Sequence, residues 1–285
     1  MNKALRGNYA IIKNEEIAQG VFELCVEAPE IARAASAGQF VNVYLPGGAM
    51  LLPRPIGIAD ADGGSLTLVY GVVGAGTEAL SHFNTGGHIE IMGPLGTGFL
   101  GYAPAARRRE IALIGGGTGI PPLLFAAREI RANEGGDVKL TAWLGFREKP
   151  WYIEKLARFC DEVRIASETE GAAGFFGNVT DLLAAEQGNG FGEAFQPDLA
   201  LACGPRSMLA AIAGWCGARD IPLRVSLEER MGCGYGACAG CTIATRPLND
   251  AAKPQNGPNI PDANGIIQKK VCAHGPVFWA DEVVW

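Results

Sequence analysis

The sequence has few charged residues, no long apolar run and no leader-like start. Charged residues make up 19% of the 285 residues and hydrophobic residues 48%. This balance excludes a disordered chain. No stretch has the roughly 20 consecutive apolar residues that cross a membrane, and residues 1–10 lack the apolar core of a secretory signal. We therefore expect a cytoplasmic protein that makes no membrane contact.

An excess of positive charge is also missing. The formal net charge is −6, from 24 Lys and Arg against 30 Asp and Glu. The one basic cluster, 107–109, is interpreted as a solvated linker near a domain boundary. We find no nucleic-acid-binding motif and expect no nucleic-acid partner.

Glycine and cysteine are abundant instead. The 40 glycines are typical of a chain whose backbone approaches a ligand closely or adopts positive φ. In a reducing compartment, the eight cysteines indicate metal binding or chemistry rather than disulfides.

The pattern along the chain predicts an α+β multidomain protein with three regions. Residues 1–104 contain short β-rich runs separated by Gly, Pro and Asp, which predict an antiparallel β-barrel. Residues 105–226 alternate predicted strands and helices, which indicates a doubly wound parallel α/β sheet. Residues 227–285 are rich in Gly and Cys and are predicted to form a small C-terminal metal-binding subdomain.

The last region carries three cysteines with the spacing C-x4-C-x2-C. These are Cys233, Cys238 and Cys241, and Cys272 is a candidate fourth ligand. The spacing is that of plant-type ferredoxins, in which thiolates hold a two-iron two-sulfur cluster. Soft anionic thiolates suit iron, and intervening glycines let backbone N–H groups reach the sulfurs. A structural zinc site and unrelated buried cysteines remain as alternatives, although zinc sites usually pair two C-x2-C knuckles.

A second motif has the form of a pyrophosphate-binding turn between a buried strand and a helix. Its residues are Gly115, Gly116, Gly117, Thr118 and Gly119. Glycines allow close approach and the helix start favours an anion. Ile120 stands where G-x-G-x-x-G needs its third glycine, so a plain tight turn remains an alternative.

A third motif follows a later strand of the same predicted sheet. It consists of Cys203, Gly204 and Pro205. Ligands of such sheets bind at the carboxyl ends of the strands, so this turn and the glycine turn together predict a dinucleotide site. The alternative for Cys203 is a buried thiol.

Two barrel segments are suited to phosphate. Residues 54–57 place an arginine beside rigid backbone, and residues 74–77 place glycine and a hydroxyl ahead of an apolar run. From the residues alone, a simple turn is the more frequent explanation of each segment.

Taken in order, these motifs resemble the ferredoxin–NADP reductase superfamily. The Arg-Pro strand, the Gly-x-Gly-Thr turn, the glycine loop, Cys-Gly-Pro, the cysteine spacing and the tail 271–278 follow the family's order. Within the superfamily the chain resembles the electron-transfer subunits of class 1B dihydroorotate dehydrogenases, and the resemblance covers essentially the whole chain.

The resemblance implies an FAD barrel, a nicotinamide domain and a cluster-bearing extension, with FAD, a 2Fe-2S cluster and NAD as cofactors. The residues implied at the FAD, with Arg54 on its diphosphate, are Arg54, Pro55, Ile56, Gly57, Val69, Tyr70 and Gly71. Gly76 and Thr77 are implied to hold phosphate. The glycine turn and residues 203–205 are implied to flank the nicotinamide dinucleotide. No acid–base catalyst is implied.

The implied function is electron transfer in pyrimidine biosynthesis. Electrons would pass from the FMN of a dihydroorotate dehydrogenase catalytic subunit through the cluster and FAD to NAD+. The implied complex is a heterotetramer with two copies of each chain. A related subunit, of an NADH-dependent ferredoxin–NADP reductase or a sulfide dehydrogenase, is the alternative, and a non-enzymatic zinc-bearing binding module is a distant one.

The chain departs from the family pattern at two places. Gly57 stands where the family often has Ser or Thr, whose hydroxyl bonds the flavin. The gap between Cys241 and Cys272 is long, and its Pro- and Asn-rich segment 246–264 is interpreted as a loop insertion.

Overall fold

The computed structural model describes residues 4–46, 50–99, 110–188, 196–248, 253 and 256–285. The basic cluster 107–109, the predicted boundary between 104 and 105, and part of the segment 246–264 lie outside these residues.

The N-terminal region is a closed six-stranded antiparallel barrel. Its strands follow the order β1-β2-β5-β4-β3-β6, and β6 pairs with β1 to close it. The elements are β1 (Leu5–Ala18), β2 (Val21–Glu27), α1 (Pro29–Ala34), β3 (Phe40–Tyr44), β4 (Arg54–Asp62), β5 (Ser65–Gly71), α2 (Ala75–Ser81) and β6 (His88–Leu95).

Alternation of side chains builds the barrel interior. In β5, Leu66 and Leu68 are fully buried and Tyr70 nearly so, while the intervening Thr67 is half-buried. A period of two residues places one set of side chains inside the barrel. On β3, Val41 and Val43 belong to the barrel core, so Phe40 and Asn42 face outward, toward the C-terminal region.

The second region is a seven-stranded sheet flanked by helices. Its order is β10-β9-β8-β7-β11-β12-β15, parallel except for the last strand. The elements are β7 (Glu110–Gly116), α3 (Ile120–Glu134), β8 (Lys139–Phe146), α4 (Ile153–Ala157), β9 (Glu162–Ser167), β10 (Phe175–Phe176), α5 (Val179–Gly188), β11 (Leu199–Cys203), α6 (Arg206–Gly217) and β12 (Leu223–Ser226). Strands β7 and β11 are apolar and buried along almost their whole length, as expected for a sheet covered on both faces.

The strand order reverses between β7 and β11. From β7 the chain moves outward through β8 and β9, then returns to add β11 and β12 on the other side of β7. A crevice opens at such a reversal, outside the carboxyl ends of the strands. The motif Gly115–Gly119 begins with the last two residues of β7, and Cys203–Pro205 begins with the last residue of β11. Cys203 pairs with Gly115, so the topology places the two predicted motifs side by side.

The C-terminal region forms a small two-stranded sheet and then returns to the large one. Its elements are β13 (Thr242–Thr245), β14 (Ile267–Lys270), α7 (Val271–His274) and β15 (Val277–Trp279). Strand β13 pairs with β14, and β15 extends the large sheet next to β12. The residues after α7 therefore fasten the cysteine-rich segment to the α/β sheet.

The predicted fold class is confirmed by this architecture. The domain boundaries stay predictions, and β15 lies in the large sheet although the prediction placed it in the third region. In the described part of the chain, no helix has the length and apolarity needed to cross a membrane.

Candidate functional site

An open cleft of about 740 Å³ lies between the barrel and the α/β sheet. Its volume is in the range typical of cofactor sites. The structure brings together here many of the residues that the sequence pointed to. Those that line the cleft are Arg54, Pro55, Ile56, Gly57, Val69, Tyr70, Gly71, Thr77, Thr118 and Cys203.

Gly76 gives room to the guanidinium of Arg54. A Cβ atom on Gly76 would come within 1.8 Å of Arg54 Nε. The carbonyl oxygen of Leu52 orients the guanidinium further, because it accepts a hydrogen bond from Arg54 Nη1 at 2.8 Å. Thr77 Oγ1 accepts a hydrogen bond from the amide of Val73. A cation is thus positioned at the cleft beside the start of α2, which suits a diphosphate.

We predict that Gly76→Ala weakens FAD binding at least about tenfold, because the new methyl group displaces the guanidinium and a charge-assisted hydrogen bond of about 1.5–3 kcal/mol is lost. Fluorescence titration of the deflavinated protein with FAD measures this. Gly74→Ala is the matched control, since no atom lies within 4 Å of a Cβ there. Equal FAD affinity in both variants would contradict the role assigned to the Arg54–Gly76 contact.

Tyr70 is held rigidly in the cleft wall. Its hydroxyl donates to Asn14 Oδ1 at 3.0 Å, and its ring stacks on Phe22 with centroids 5.7 Å apart. Burial raises the pKa of Tyr70 to about 12, so the hydroxyl stays protonated and acts as a donor. Tyr70 therefore offers a fixed aromatic surface rather than a proton-transfer group.

Gly57 faces the first turn of α3. A Cβ atom there would lie 3.2 Å from Pro122 Cγ. The family's Ser or Thr at this place would have to fit against the proline ring. The glycine and the proline are therefore complementary in size at the cleft wall.

The glycine turn packs tightly against the turn after β11. A Cβ on Gly119 would come within 2.3 Å of the carbonyl oxygen of Cys203, and one on Gly116 within 2.5 Å of Met208 Sδ. Gly117 has open space around it and φ +54. Of these glycines, Gly119 lets two backbone segments meet, Gly116 makes room for the side chain of Met208, and Gly117 provides the left-handed bend.

Helix α3 offers fewer free amides than the sequence pattern suggests. Pro121 and Pro122 lie in its first turn and have no N–H to donate. The amides that remain to bind an anion here are chiefly those of the preceding glycine turn. The part of the turn that lines the cleft is Thr118. Gly115, Gly116, Gly117, Gly119, Gly204 and Pro205 surround the crevice without lining the cleft itself.

Cys203 is a buried thiol at the end of β11. Burial raises the pKa of Cys203 to about 12. A protonated, enclosed thiol is not a nucleophile. Cys203 is therefore a buried thiol, which was the alternative considered from the sequence. It nevertheless lies in the wall of the cleft.

The four cysteines of the C-terminal region are arranged in two pairs. Cys233 Sγ lies 3.4 Å from the amide nitrogen of Cys238, and Cys241 Sγ lies 3.3 Å from Cys272 Sγ. Within the described ranges, no three His, Cys, Asp or Glu side chains converge so as to hold one metal ion. Two pairs of thiols fit a two-iron cluster, since each iron takes two protein ligands.

Backbone amides stabilise a thiolate at Cys233. Burial alone would raise the pKa of Cys233, but N–H groups of Cys238, Tyr235 and Ala237 outweigh it and lower the pKa to about 6. At Cys272 the balance is opposite, because burial and the adjacent Cys241 raise the pKa to about 12. Amide donors at the sulfurs are the arrangement that iron–sulfur sites use.

The barrel contacts residues 233–241, the cysteine loop, through Asn42, a residue that none of the sequence motifs included. Its side-chain amide donates to the carbonyl oxygen of Cys233 at 2.9 Å. Gly234, with φ +74, lies so close that a Cβ there would come within 2.5 Å of Asn42 Nδ2. On β3, Asn42 pairs with Pro55 of the cleft wall. A single residue therefore connects the predicted flavin and cluster sites.

The histidines have ordinary surroundings. His82 and His88 are exposed. His274 Nδ1 accepts a hydrogen bond from the amide of Lys270, and burial with the nearby charges of Lys269 and Lys270 lowers the pKa of His274. His274 is therefore held as a neutral acceptor that orders the chain near Cys272.

Comparisons with known proteins place the chain among its relatives. Residues 228–258 match a family described as the iron–sulfur cluster binding domain of dihydroorotate dehydrogenase B. Curated relatives are named dihydroorotate dehydrogenase B (NAD(+)), electron transfer subunit. One from Caldanaerobacter subterraneus is 32% identical, covering 96% of this chain and 97% of the relative. Another, from Bacillus caldolyticus, is 35% identical, covering 98% of each.

Solved structures share the fold. A structure of an NADH-dependent reduced ferredoxin-NADP oxidoreductase has a TM-score of 0.78 and 27% identity, covering 97% of this chain and 90% of that chain. The ferredoxin-NADP+ reductase of Plasmodium falciparum has a TM-score of 0.57 and 14% identity, covering 75% of this chain and 90% of that chain. The second likeness concerns the fold alone.

Fold and cleft define a flavin-reductase-like oxidoreductase component with an iron–sulfur extension. The chain belongs to the family of electron transfer subunits of dihydroorotate dehydrogenase B (NAD(+)). The family predicted from the sequence motifs is thereby confirmed.

Proposed function

We propose that this chain carries electrons from a dihydroorotate dehydrogenase catalytic subunit to NAD+, as a cytoplasmic step of pyrimidine biosynthesis. It binds FAD, a 2Fe-2S cluster and NAD(H). A flavin exchanges both single electrons and hydride, so FAD links the one-electron cluster to the two-electron nicotinamide. The eight free cysteines are compatible with a reducing compartment.

The cleft wall continues directly into the cysteine loop, and this continuity is the main support for the proposal. Residues 226–231 line the cleft together with the predicted flavin residues, and Cys233 follows two positions after Met231. On the opposite side, Asn42 fixes the carbonyl of Cys233 to the barrel. A cluster held by this loop is adjacent to a flavin held in the cleft.

The chain's residues have separate tasks in this proposal. Cys233, Cys238, Cys241 and Cys272 hold the cluster. Residues 54–57, Val69, Tyr70, Gly71, Gly76 and Thr77 hold FAD, with Arg54 on the diphosphate. Residues 115–119 and 203–205 flank the nicotinamide dinucleotide. Rigid placement of these groups suffices, because no general acid–base residue is required for electron transfer.

The proposed partner is an FMN-containing catalytic subunit, with two copies of each chain in the complex. The cysteine loop is suited to face it, because Cys233 and Cys238 are only half-buried. Tyr235, between them, is 54% exposed. Exposed tyrosines often anchor protein interfaces.

The test is to combine the purified chain with an FMN-containing dihydroorotate dehydrogenase catalytic subunit. We expect a stable complex with a mass of two chains of each kind by light scattering, and dihydroorotate-dependent formation of NADH. Absence of complex, or of NADH in a complex that contains all cofactors, would reject the proposed partner.

The alternative is a subunit of a related NADH-dependent ferredoxin–NADP reductase, which the similarity to that solved structure favours. Reduced ferredoxin supplied in place of dihydroorotate separates the two functions. We expect NADH from dihydroorotate and none above background from ferredoxin, and the opposite result would establish the alternative.

A further inference from the structure

A lysine from the neighbouring strand β14 donates a hydrogen bond to the cysteine loop. Lys270, the last residue of β14, donates from Nζ to the carbonyl oxygen of Gly236 at 2.6 Å. Its own backbone is fixed, since it pairs with Thr242 across β13 and its amide donates to His274 Nδ1. The cation is therefore held against the middle of the loop between Cys233 and Cys238.

The carbonyl that Lys270 contacts belongs to a peptide group whose N–H serves the cluster site. The Gly236 carbonyl is bonded to the nitrogen of Ala237, and the amide of Ala237 is one of those that lower the pKa of Cys233. The amide of Gly236 likewise lowers the pKa of Cys272, although burial and Cys241 outweigh it. A cation on a carbonyl polarises that amide and strengthens the hydrogen bond from its N–H.

The neighbouring lysine has a different partner. Lys269 is fully buried and pairs with Glu282 at 2.5 Å, so its charge is neutralised on the opposite face of β14. Among the residues that the structure describes, no carboxylate lies within 4.0 Å of Lys270 Nζ. Lys270 is therefore the lysine whose charge is not neutralised by a carboxylate, and this charge faces the cysteine loop.

We propose that Lys270 is a positioning residue that raises the reduction potential of the 2Fe-2S cluster, acting through the Gly236–Ala237 peptide group. Reduction adds one electron, and the ligand sulfurs become more negative. Hydrogen bonds to the sulfurs and nearby positive charge stabilise that state more than the oxidised one. The inference rests on the proposed cluster ligands.

The experiment is a redox titration of the full chain, followed by the EPR signal of the reduced cluster. Lys270→Met removes the charge and the hydrogen bond while keeping a side chain of similar length. We expect its cluster to bind the electron about tenfold more weakly, which is a fall of about 59 mV for a one-electron couple. Lys270→Arg keeps the cation, and we expect it to recover most of this loss.

Lys139→Met controls for the change in net charge. Lys139 lies at the start of β8, paired with Glu110 and Glu162, at the end of the sheet opposite the cleft. We expect its cluster potential to equal that of the wild type. An unchanged potential in Lys270→Met, with a full cluster, would overturn the inference.

Other outcomes are equally decisive. If Lys270→Met does not retain the cluster, Lys270→Gln takes its place, because it keeps an N–H donor without charge. Loss of the cluster from both variants, with Lys270→Arg intact, would mean that Lys270 holds the loop rather than tunes the potential, and would reject the inference. A wild-type chain without iron would reject the proposed function itself.

Discussion

Cys272→Ala is expected to abolish the cluster and with it the transfer of electrons from the partner to NAD+. Loss of an outer-shell contact alone can cost about 10–100-fold in metal affinity, so loss of a thiolate ligand leaves no stable two-iron site. The flavin cleft is separate from Cys272. NADH-dependent reduction of ferricyanide, which needs only FAD, is therefore expected to continue. Iron and sulfide analysis, EPR and the two activities measure the effect.

Cys216→Ala is the matched control. Both sulfurs are buried in the same core cluster, Cys272 on α7 and Cys216 on α6. Either variant should lose about 0.5–1.5 kcal/mol of packing, as Ile→Val does. Only Cys272→Ala should lose iron. A Cys272→Ala protein with two irons per chain and an unaltered EPR signal would remove Cys272 from the ligand set.

Gly119→Ala is expected to disrupt the proposed nicotinamide site and to destabilise the fold. The new methyl group would lie 2.3 Å from the carbonyl oxygen of Cys203 and 2.5 Å from the amide of Gly204. Both are backbone atoms that no rotamer change can move. Overpacking of this kind costs about 1–3 kcal/mol. Thermal unfolding and the rate at which NADH reduces the bound flavin measure the two consequences.

The control for this variant is Gly136→Ala. Gly136 follows α3, and no atom lies within 4 Å of a Cβ there. We expect wild-type stability and wild-type reduction by NADH. If Gly119→Ala behaved in the same way, the two turns could not be as closely packed as described.

Motifs that are local in sequence were predicted well. Residues 110–134 form a strand, a glycine turn and a helix. Each can be predicted from its own residues, because the apolar run, the glycines and the apolar helix face are all local features of the sequence. The cysteine spacing C-x4-C-x2-C likewise lies within nine residues, 233–241. Their functions followed only from the order of the motifs along the chain.

Long-range contacts left no such pattern. Asn42 and Cys233 are 191 positions apart, and an asparagine in a strand gives no sign of its partner. The buried pair Lys269–Glu282 reads as two surface charges in the sequence. Strand β15 is short and joins a sheet that began more than 150 residues earlier, because pairing depends on tertiary packing rather than propensity.

The proline-rich start of α3 shows a further limit. The sequence indicated a helix N-terminus with free amides, yet Pro121 and Pro122 remove two of them. Gly57 was a departure from the family, and its contact with Pro122 explains why a small residue fits there. Both features depend on which residues meet across the cleft.

The most direct test is an anaerobic titration of the purified chain with NADH, followed by visible absorption and EPR. We expect one FAD, two irons and two sulfides per chain, bleaching of the flavin bands by NADH, and an EPR signal from the reduced cluster. Electrons then reach the cluster through the flavin within one chain. A protein that binds FAD but no iron, or whose cluster stays oxidised while its flavin is reduced, would contradict it.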